Sequence, residues 1–321
     1  MKEWKLFKEA LKKSNFAVQV LDSRIALDSR NLKAEELIKK EANERNFPLA
    51  FVVNKFDLIR EEDQEKVKES IIKNLEKEYN LEENPVFFIS AQKRKGTKKL
   101  REWLGKLKLN YLPKREECEK LISLIKGKKK SEIEEIIKNL SEEEKEKLKR
   151  CKEGLRGVII GYPNVGKSSL INVLKGRHSA GTSPLPGYTK AIQLIKIANK
   201  IYFYDIPGLF TKEEIYSRPL LALINTNKVK DPYELVDFLW YFLKEARTLK
   251  YIEEELSKYK ITKEFLENLD DWDYFEENLE ILAKKNNFVM SGGRADIFRF
   301  SKKIIEDWQK GKIKAYRIYP Y

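Results

Sequence analysis

The stretch Gly157-Val-Ile-Ile-Gly161-Tyr-Pro-Asn-Val-Gly166-Lys167-Ser168-Ser169-Leu170 decides the fold. A short apolar strand enters a turn of pattern GxxxxGK[ST] and continues into a helical run, which is the context that a phosphate-binding loop requires. Backbone N–H groups of such a turn, together with the helix N-terminus, form a cradle for an anion. The residues predicted to contact the nucleotide here are Asn164, Val165, Gly166, Lys167, Ser168 and Ser169.

Within this loop, the side chains have different predicted roles. Lys167 can reach the β- and γ-phosphates, and the Ser168 hydroxyl can ligate Mg²⁺. A second acidic motif, Asp205-Ile-Pro-Gly208, follows the predicted strand 200–204. Asp205 can hold Mg²⁺ through water, and the Gly208 N–H can meet a γ-phosphate.

Two motifs earlier in the chain predict recognition of guanine. Asn54-Lys55-Phe56-Asp57 follows the predicted strand 48–53, and Ser90-Ala91-Gln92 follows the predicted strand 85–89. The Asp57 carboxylate can accept hydrogen bonds from both N1–H and the N2 amino group of guanine, and adenine lacks that amino group. The Ala91 N–H can meet guanine O6. All four motifs follow strands, and ligands bind open α/β sheets at the carboxyl ends of their strands. The predicted ligands are therefore GTP and GDP with Mg²⁺.

The alternation of short apolar runs with amphipathic stretches predicts an α/β fold with a mostly parallel six-stranded sheet and helices on both faces. The predicted strands are 16–21, 48–53, 85–89, 157–160, 193–197 and 200–204, with helices over 32–46 and 61–79. In an ordinary GTPase the phosphate loop precedes DxxG and NKxD, whereas here NKxD comes first. We therefore predict circular permutation, with the strand at Gly157 in the centre of the sheet and the strand at Phe16 beside it.

The predicted domain organisation has two parts. Residues 1–215 form the permuted GTPase domain, with a charged helical insertion at 114–150. After about residue 216, apolar residues recur at helical spacing without a strand pattern, so 216–321 is predicted to be an all-α domain.

The amino-acid composition excludes several other classes of protein and of functional site. The chain has 321 residues, a formal net charge of +14 and a 41% hydrophobic fraction, so it can build real cores. Its two cysteines cannot build a disulfide framework or a four-cysteine zinc site, and its single histidine, His178, makes a Ser-His-Asp triad a poor interpretation. No apolar run approaches the length of a membrane span, and the N-terminus lacks the pattern of a signal peptide. A monomeric, cytoplasmic protein without a membrane partner is expected.

Motifs near both ends of the chain resemble the sequence patterns of a known protein family. Asp22-Ser-Arg24 with Ser29-Arg30-Asn31, and Gly292–Asp296 with Ile305–Ile313, are similar to the DAR…SRN and GGxPD…LxDWxxGKI patterns of one family. Together with the permuted motifs, the chain resembles the YlqF/YawG family of circularly permuted GTPases over nearly its whole length. The resemblance implies assistance in assembly of the large ribosomal subunit and binding of ribosomal RNA, partly through the C-terminal helical domain.

The resemblance also bears on catalysis. The family's PGxT pattern maps onto Pro186–Thr189, so Thr189 is the expected second hydroxyl ligand of Mg²⁺ beside Ser168 and Asp205, with Thr182 as the alternative. Leu209 occupies the place of the water-orienting Gln of signalling GTPases, and an aliphatic side chain cannot polarise water. Some relatives use an N-terminal histidine instead, and residues 1–20 contain none. Slow intrinsic hydrolysis, stimulated by the ribosome or by a cation, is expected. The catalytic assignments are Lys167, Thr189, Gly208 and Asn164.

Asn164 has two interpretations. It is similar to the Asn that coordinates K⁺ in cation-dependent GTPases, and it can equally shape the phosphate loop.

Charge distribution indicates the RNA surface. Residues 93–108 and 284–321 each carry a net charge of +7, whereas 231–280 carries −9. Basic clusters are the electrostatic footprint of phosphate-backbone binding. The candidate RNA contacts are Arg294, Arg299, Lys302, Lys303, Lys310 and Lys312.

Two alternatives to a ribosome-assembly GTPase stay open. The first is an RNA- or tRNA-associated GTPase that acts outside ribosome assembly. The second is a nucleotide-binding interaction protein with negligible hydrolysis.

Overall fold

A six-stranded sheet forms the centre of the computed structural model, which describes residues 2–176, 193–206, 209 and 213–321. The strands are β1 (Phe16–Asp22), β2 (Leu49–Asn54), β3 (Val86–Phe88), β4 (Leu155–Ile160), β5 (Gln193–Ala198) and β6 (Ile201–Asp205). All six lie where the sequence predicts them, within two residues at each end.

The spatial order of the strands is β3-β2-β1-β4-β6-β5. Strand β4 pairs in parallel with β1 on one side and β6 on the other, and only the edge strand β5 runs antiparallel. The predicted placement of the Gly157 strand beside the Phe16 strand at the centre is confirmed. Every residue of β1 and β2 is buried, as expected for parallel strands covered on both faces.

Eight helices precede β5 within the described residues. They are α1 (Lys2–Lys12), α2 (Leu32–Glu44), α3 (Gln64–Glu76), α4 (Thr97–Tyr111), α5 (Arg115–Ser123), α6 (Lys130–Asn139), α7 (Glu142–Glu153) and α8 (Lys167–Lys175). Helices α2 and α3 confirm the amphipathic stretches that the sequence indicates.

The insertion is helical, as predicted, and it contains α5, α6 and most of α7. Helix α6 buries no residue, so it adds little to the core. A disulfide between Cys118 and Cys151 joins α5 to α7. Two isolated cysteines do not predict this single bond from their spacing alone.

After β6, the described residues contain helices and no strand. These helices are α9 (Glu214–Ser217), α10 (Tyr233–Ala246), α11 (Ile252–Ser257), α12 (Lys263–Glu267), α13 (Trp272–Lys285) and α14 (Ile297–Gln309). Two hydrophobic clusters cover the sheet. One joins Phe16 and Phe203 to Phe242 and Trp308 of α10 and α14, and the other packs α1, α2 and α3 on the opposite face.

No helix in the described part of the chain combines the length and the apolar composition that crossing a membrane requires.

Candidate nucleotide-binding site

One side chain joins three of the predicted motifs at the carboxyl edge of the sheet. The Asn54 amide nitrogen donates to the Val165 carbonyl of the phosphate loop at 2.9 Å. Its amide oxygen accepts from the Ala91 N–H at 3.0 Å. Residues that are 111 and 37 positions away from Asn54 in sequence are therefore in direct contact. NKxD, SAx and the phosphate loop converge, despite their reversed order in the chain.

The phosphate loop has the local structure that its glycines predict. Strand β4 ends at Ile160, and α8 begins at Lys167 after Gly166, whose φ is +100°. A Cβ atom on Gly166 would lie 2.2 Å from the Asn54 amide nitrogen. Only glycine satisfies both the left-handed backbone and this close approach. Ser168 and Ser169 are exposed in the first turn of α8.

Lys167 and Asp205 are both desolvated, and each influences the charge of the other. The Lys167 ammonium donates to the carbonyls of Gly161 at 2.6 Å and Tyr162 at 3.1 Å. Burial lowers the pKa of Lys167 to about 8, although Asp205 acts in the opposite direction. Burial also raises the pKa of Asp205, and Lys167 partly offsets this. Both shifts indicate a site that lacks compensating charge.

The donor set fits Mg²⁺ bound with a phosphate. The Ser168 hydroxyl and the Asp205 carboxylate are hard oxygen ligands of the kind that Mg²⁺ prefers. A cation beside Asp205 would stabilise the carboxylate and so offset the effect of burial, which raises the pKa of this carboxyl. Thr189, Thr182, His178 and Gly208 lie outside the described residues, so the predicted roles of Thr189 and Gly208 stay predictions.

The guanine-recognition loop lies beside the phosphate loop. Lys55 has a left-handed backbone, and Asp57 follows in a short 3-10 turn over Phe56–Leu58. The Asp57 side chain keeps 14% of its surface exposed and has Lys93 at 3.6 Å. Ser90 is buried, its hydroxyl accepts from the Lys93 N–H, and Gln92 is exposed. The Asp57 carboxylate thus remains accessible to a base.

Asn164 is held by protein groups. It has a φ of +65°, and its amide nitrogen donates to the Ala222 carbonyl at 2.9 Å. This bond supports the loop-shaping interpretation.

Leu209 is buried with 3% exposure, in the hydrophobic cluster that covers one face of the sheet. Its carbonyl accepts from the Asn31 amide at 2.7 Å. The residue that replaces the water-orienting Gln therefore belongs to the core.

Asp22 and Arg24 also belong to the site, although their sequence motif predicts no role for them. Asp22 contacts the Lys55 ammonium at 2.8 Å and the Arg24 guanidinium at 2.8 Å. Burial alone would raise the pKa of Asp22, but Arg24 and Lys55 hold it well below its usual range. The only sequence signal was the DSR…SRN resemblance, which names the residues without their partners.

The candidate RNA contacts lie on and around α14, among carboxylates. Glu306 is near Lys302 and Lys310, and Asp307 is near Lys303 and Lys312. Arg299 lies 3.5 Å from Asp296. Arg294 is exposed and has no ion pair in the part of the chain that the structure describes. The positive charge of this surface is therefore more strongly compensated than the sequence count suggests.

Comparison with known proteins agrees with the geometry. Residues 156–269 match a family model described as 50S ribosome-binding GTPase, and residues 5–113 match one described as the GTP-binding domain of elongation factor Tu. An uncharacterized GTP-binding protein of Methanocaldococcus jannaschii is 27% identical over 98% of this chain and 66% of its own length. GTPase grn1 of Schizosaccharomyces pombe is 26% identical over 97% of this chain and 60% of its own length. Nucleolar GTP-binding protein 2 of Saccharomyces cerevisiae is 26% identical over 99% and 53%.

Among solved structures, GNP-bound YlqF from T. maritima aligns with a TM-score of 0.49 at 18% identity, covering 98% of this chain and 97% of that one. The chain spans from about half to two thirds of the length of the curated relatives named above. The resemblance drawn from the motifs is confirmed: this chain has a circularly permuted P-loop GTPase fold and is similar over nearly its whole length to GTP-binding proteins, among them a nucleolar GTP-binding protein.

Proposed function

We propose that the chain binds GTP and GDP with Mg²⁺, hydrolyses GTP slowly, and acts as a nucleotide-dependent switch in assembly of the large ribosomal subunit. The observation that carries the proposal is the convergence of the guanine and phosphate motifs on the side chain of Asn54. The side-by-side placement of a base-recognition motif and a phosphate loop supports a guanine nucleotide as the ligand.

The chain's own residues have separate tasks in this proposal. Asp57 selects guanine, while Asn54 and Lys55 hold the two loops in register. The Ala91 N–H donates to the Asn54 amide oxygen in this structure and would be shared with guanine O6. The phosphate loop from Asn164 to Ser169 surrounds the phosphates, with Lys167 as the cation on the β- and γ-phosphates. Ser168, Thr189 and Asp205 would hold Mg²⁺, and the ion would supply positive charge against the negative charge that develops during phosphoryl transfer. The Gly208 N–H would donate a hydrogen bond to the γ-phosphate.

Slow intrinsic hydrolysis follows from the position of Leu209. A buried aliphatic side chain offers nothing to orient water, so the group that completes the site must come from elsewhere. We propose stimulation by the ribosome or by K⁺. The Asn164 amide nitrogen is bonded to Ala222, so its amide oxygen would be the K⁺ ligand.

The relatives named as nucleolar GTPases and the family model described as 50S ribosome-binding support a ribosomal partner. The proposed RNA contacts are Arg294, Arg299, Lys302, Lys303, Lys310 and Lys312. Because each phosphate contact releases counterions, ribosome affinity should fall steeply with salt. A boundary near residue 215, a monomeric state and a cytoplasmic location stay predictions.

Nucleotide titrations test the proposal most directly. We expect the wild-type protein to bind GDP at least about a hundredfold more tightly than ADP, because adenine lacks the groups that Asp57 recognises. Asp57→Asn should lose GDP affinity and gain affinity for xanthosine diphosphate, since the new amide can donate to the xanthine 2-carbonyl. Equal binding of GDP and ADP by the wild-type protein would refute guanine specificity.

One alternative has an observation in its favour. The buried Leu209 also fits a nucleotide-binding interaction protein with negligible hydrolysis. Single-turnover GTP cleavage with and without large ribosomal subunits separates the two: ribosome-dependent cleavage supports the switch, and guanine-dependent ribosome association without any cleavage supports the alternative. Guanine-dependent binding to tRNA but not to subunits would favour action outside ribosome assembly.

A further inference from the structure

Two motifs from opposite ends of the chain form one buried joint. The Arg24 guanidinium lies 3.8 Å from the centre of the Trp308 ring and donates to the carbonyls of Trp308 at 2.8 Å and Ile313 at 3.3 Å. The indole N–H of Trp308 donates to the Leu220 carbonyl at 2.9 Å. Arg24 and Trp308 are each 1% exposed. The N-terminal DSR motif is therefore part of the surface on which α14 packs.

This joint also contacts the guanine-recognition loop. The Asp22 carboxylate accepts from Arg24 through both of its oxygens and from the Lys55 ammonium at 2.8 Å. The Ser23 hydroxyl donates to the Lys55 carbonyl at 2.8 Å. Lys55 directly follows Asn54, the residue that joins the recognition loops. A line of contacts thus runs from Trp308 through Arg24 and Asp22 to the NKxD loop.

A second line of contacts reaches the phosphate loop. The Gln309 amide nitrogen donates to the carbonyls of Ile224 at 2.9 Å and Ala222 at 3.2 Å. The same Ala222 carbonyl accepts from the Asn164 side chain at 2.9 Å. Ala222 has a left-handed backbone with φ +48°, which needs support from its surroundings in a residue with a Cβ atom.

We propose that α14 is part of the nucleotide-binding site: Trp308 and Gln309 are positioning residues that hold Lys55 and Asn164, so that guanine-nucleotide binding and the seating of α14 stabilise one another. The inference rests on the proposed nucleotide binding. Separation of α14 would leave the buried Arg24 without its two carbonyl acceptors and its ring, and Asp22 would then hold Lys55 less firmly. Coupling of two binding events is reciprocal, so a loosened α14 weakens nucleotide binding by the same factor by which nucleotide tightens α14.

This route differs from chain continuity between the DxxG segment and the helices that follow. The proposed coupling runs through side chains of the guanine-recognition loop and of the phosphate loop. Binding of GDP should therefore stabilise α14 as well as binding of GTP does. A γ-phosphate is not needed.

The test measures GDP affinity and amide hydrogen exchange in full-length variants. Gln309→Ala is the principal variant because Gln309 is only partly buried, and Trp308→Phe removes the indole N–H while keeping a ring. Phe298→Ala is the matched control, since Phe298 also lies on α14 but packs on Tyr233, away from Arg24 and Ala222. Titration of a fluorescent GDP analogue gives Kd, and mass spectrometry gives the exchange rates of residues 297–313 with and without GDP.

We expect GDP to slow exchange in 297–313 of the wild-type protein, and Gln309→Ala and Trp308→Phe to raise Kd about five- to tenfold. Phe298→Ala should leave Kd within about twofold of wild type, even where it lowers the thermal midpoint. A purely structural role would lower stability without changing Kd. If wild-type protein binds GDP but exchange in 297–313 and the Kd of Gln309→Ala do not change, the inference is wrong and the proposed function stands. If wild-type protein binds no guanine nucleotide, the two fail together.

Discussion

At the scale of single residues, the state of charge of Lys167 is the most informative feature of the phosphate loop. Its ammonium is enclosed by carbonyls of its own loop, with Asp205 as the nearby carboxylate, and burial lowers its pKa to about 8. Bound phosphate would favour the charged form, so binding should raise this pKa again.

The first prediction follows from that shift. Between the folded pKa of about 8 and the ordinary value of 10.5, the unfolded chain binds more protons than the ligand-free folded protein. The free energy of unfolding of ligand-free protein should therefore rise with pH in this window. GDP affinity should fall as pH rises above about 8, because binding then requires uptake of a proton by Lys167.

Calorimetry at about pH 7 to 9, in buffers of different ionisation enthalpy, measures the proton uptake directly. Lys167→Arg is the control, since a guanidinium keeps its charge throughout this range. Proton uptake that persists in Lys167→Arg would show that another group is responsible.

A second prediction at this scale concerns Leu209. Leu209→Gln, which copies the signalling GTPases, should not accelerate GTP cleavage, because the side chain points into a hydrophobic cluster. It should lower the free energy of unfolding by about 1–3 kcal/mol, because the amide would be buried without a partner. Denaturant unfolding and single-turnover cleavage measure both effects. Faster cleavage without loss of stability would mean that position 209 can face the nucleotide.

At the scale of elements, the strands and long helices follow from local pattern. Strands β1 and β2 are continuous apolar runs because both faces are covered, and α8 begins where the glycine turn ends. The disulfide between α5 and α7 is different, since 33 residues separate Cys118 from Cys151 and no spacing rule pairs two isolated cysteines.

The third prediction concerns this insertion. Reducing the disulfide, or replacing both cysteines by serine, should lower the free energy of unfolding by up to about 4 kcal/mol in the chain-entropy model. GDP affinity should change little, because α7 leads into the amino end of β4 and the phosphate loop follows its carboxyl end. Unfolding curves and GDP titrations with and without reductant provide the measurement. A large loss of GDP affinity on reduction would place the insertion in the binding machinery.

At the scale of the whole molecule, residues near the C-terminus hold the helical region against the N-terminal half. Asp63, just before α3, accepts from the Lys250 ammonium at 2.5 Å and from the hydroxyls of Tyr316 at 2.6 Å and Tyr251 at 3.0 Å. Tyr316 is fully buried, so its ring packs inside the protein. Burial would raise the pKa of Asp63, but Lys250 and the two hydroxyls lower it overall.

The fourth prediction tests this attachment. Asp63→Ala should lower the free energy of unfolding by about 2–4 kcal/mol, because it leaves the buried Tyr316 hydroxyl without its acceptor. Asp270→Ala is the matched control. It removes an exposed carboxylate that pairs with Lys244 and Arg247, and should cost less than about 1 kcal/mol. Chemical denaturation compares the two variants, and equal losses would contradict the assignment of Asp63 as a buried anchor.

The depressed pKa of Asp63 adds a pH dependence of known sign. The stability that Asp63 contributes should be present above the ordinary pKa of 3.8 and lost as pH falls below it. The difference in unfolding free energy between wild type and Asp63→Ala should therefore shrink in acid.

The amino-acid sequence by itself determined the strands, the four motif positions, the permutation and the placement of β4 beside β1. These features depend on hydrophobic periodicity and on residues adjacent in the chain. Backbone geometry allows only a few local conformations for such residues. The same information located Asn54 and Asp57 after a strand, but it could not show that Asn54 bonds to both Val165 and Ala91.

Only the tertiary structure decided which distant groups meet. Arg24 and Trp308 are 284 residues apart, and five basic side chains around α14 have carboxylate neighbours that a charge count along the chain does not reveal. Leu209 could be recognised from the sequence as unable to polarise water, yet its burial depends on helices packed from elsewhere. Charge pairing and desolvation depend on distances in space. Many partners at many sequence separations are compatible with the same local pattern, and the packed core selects one of them.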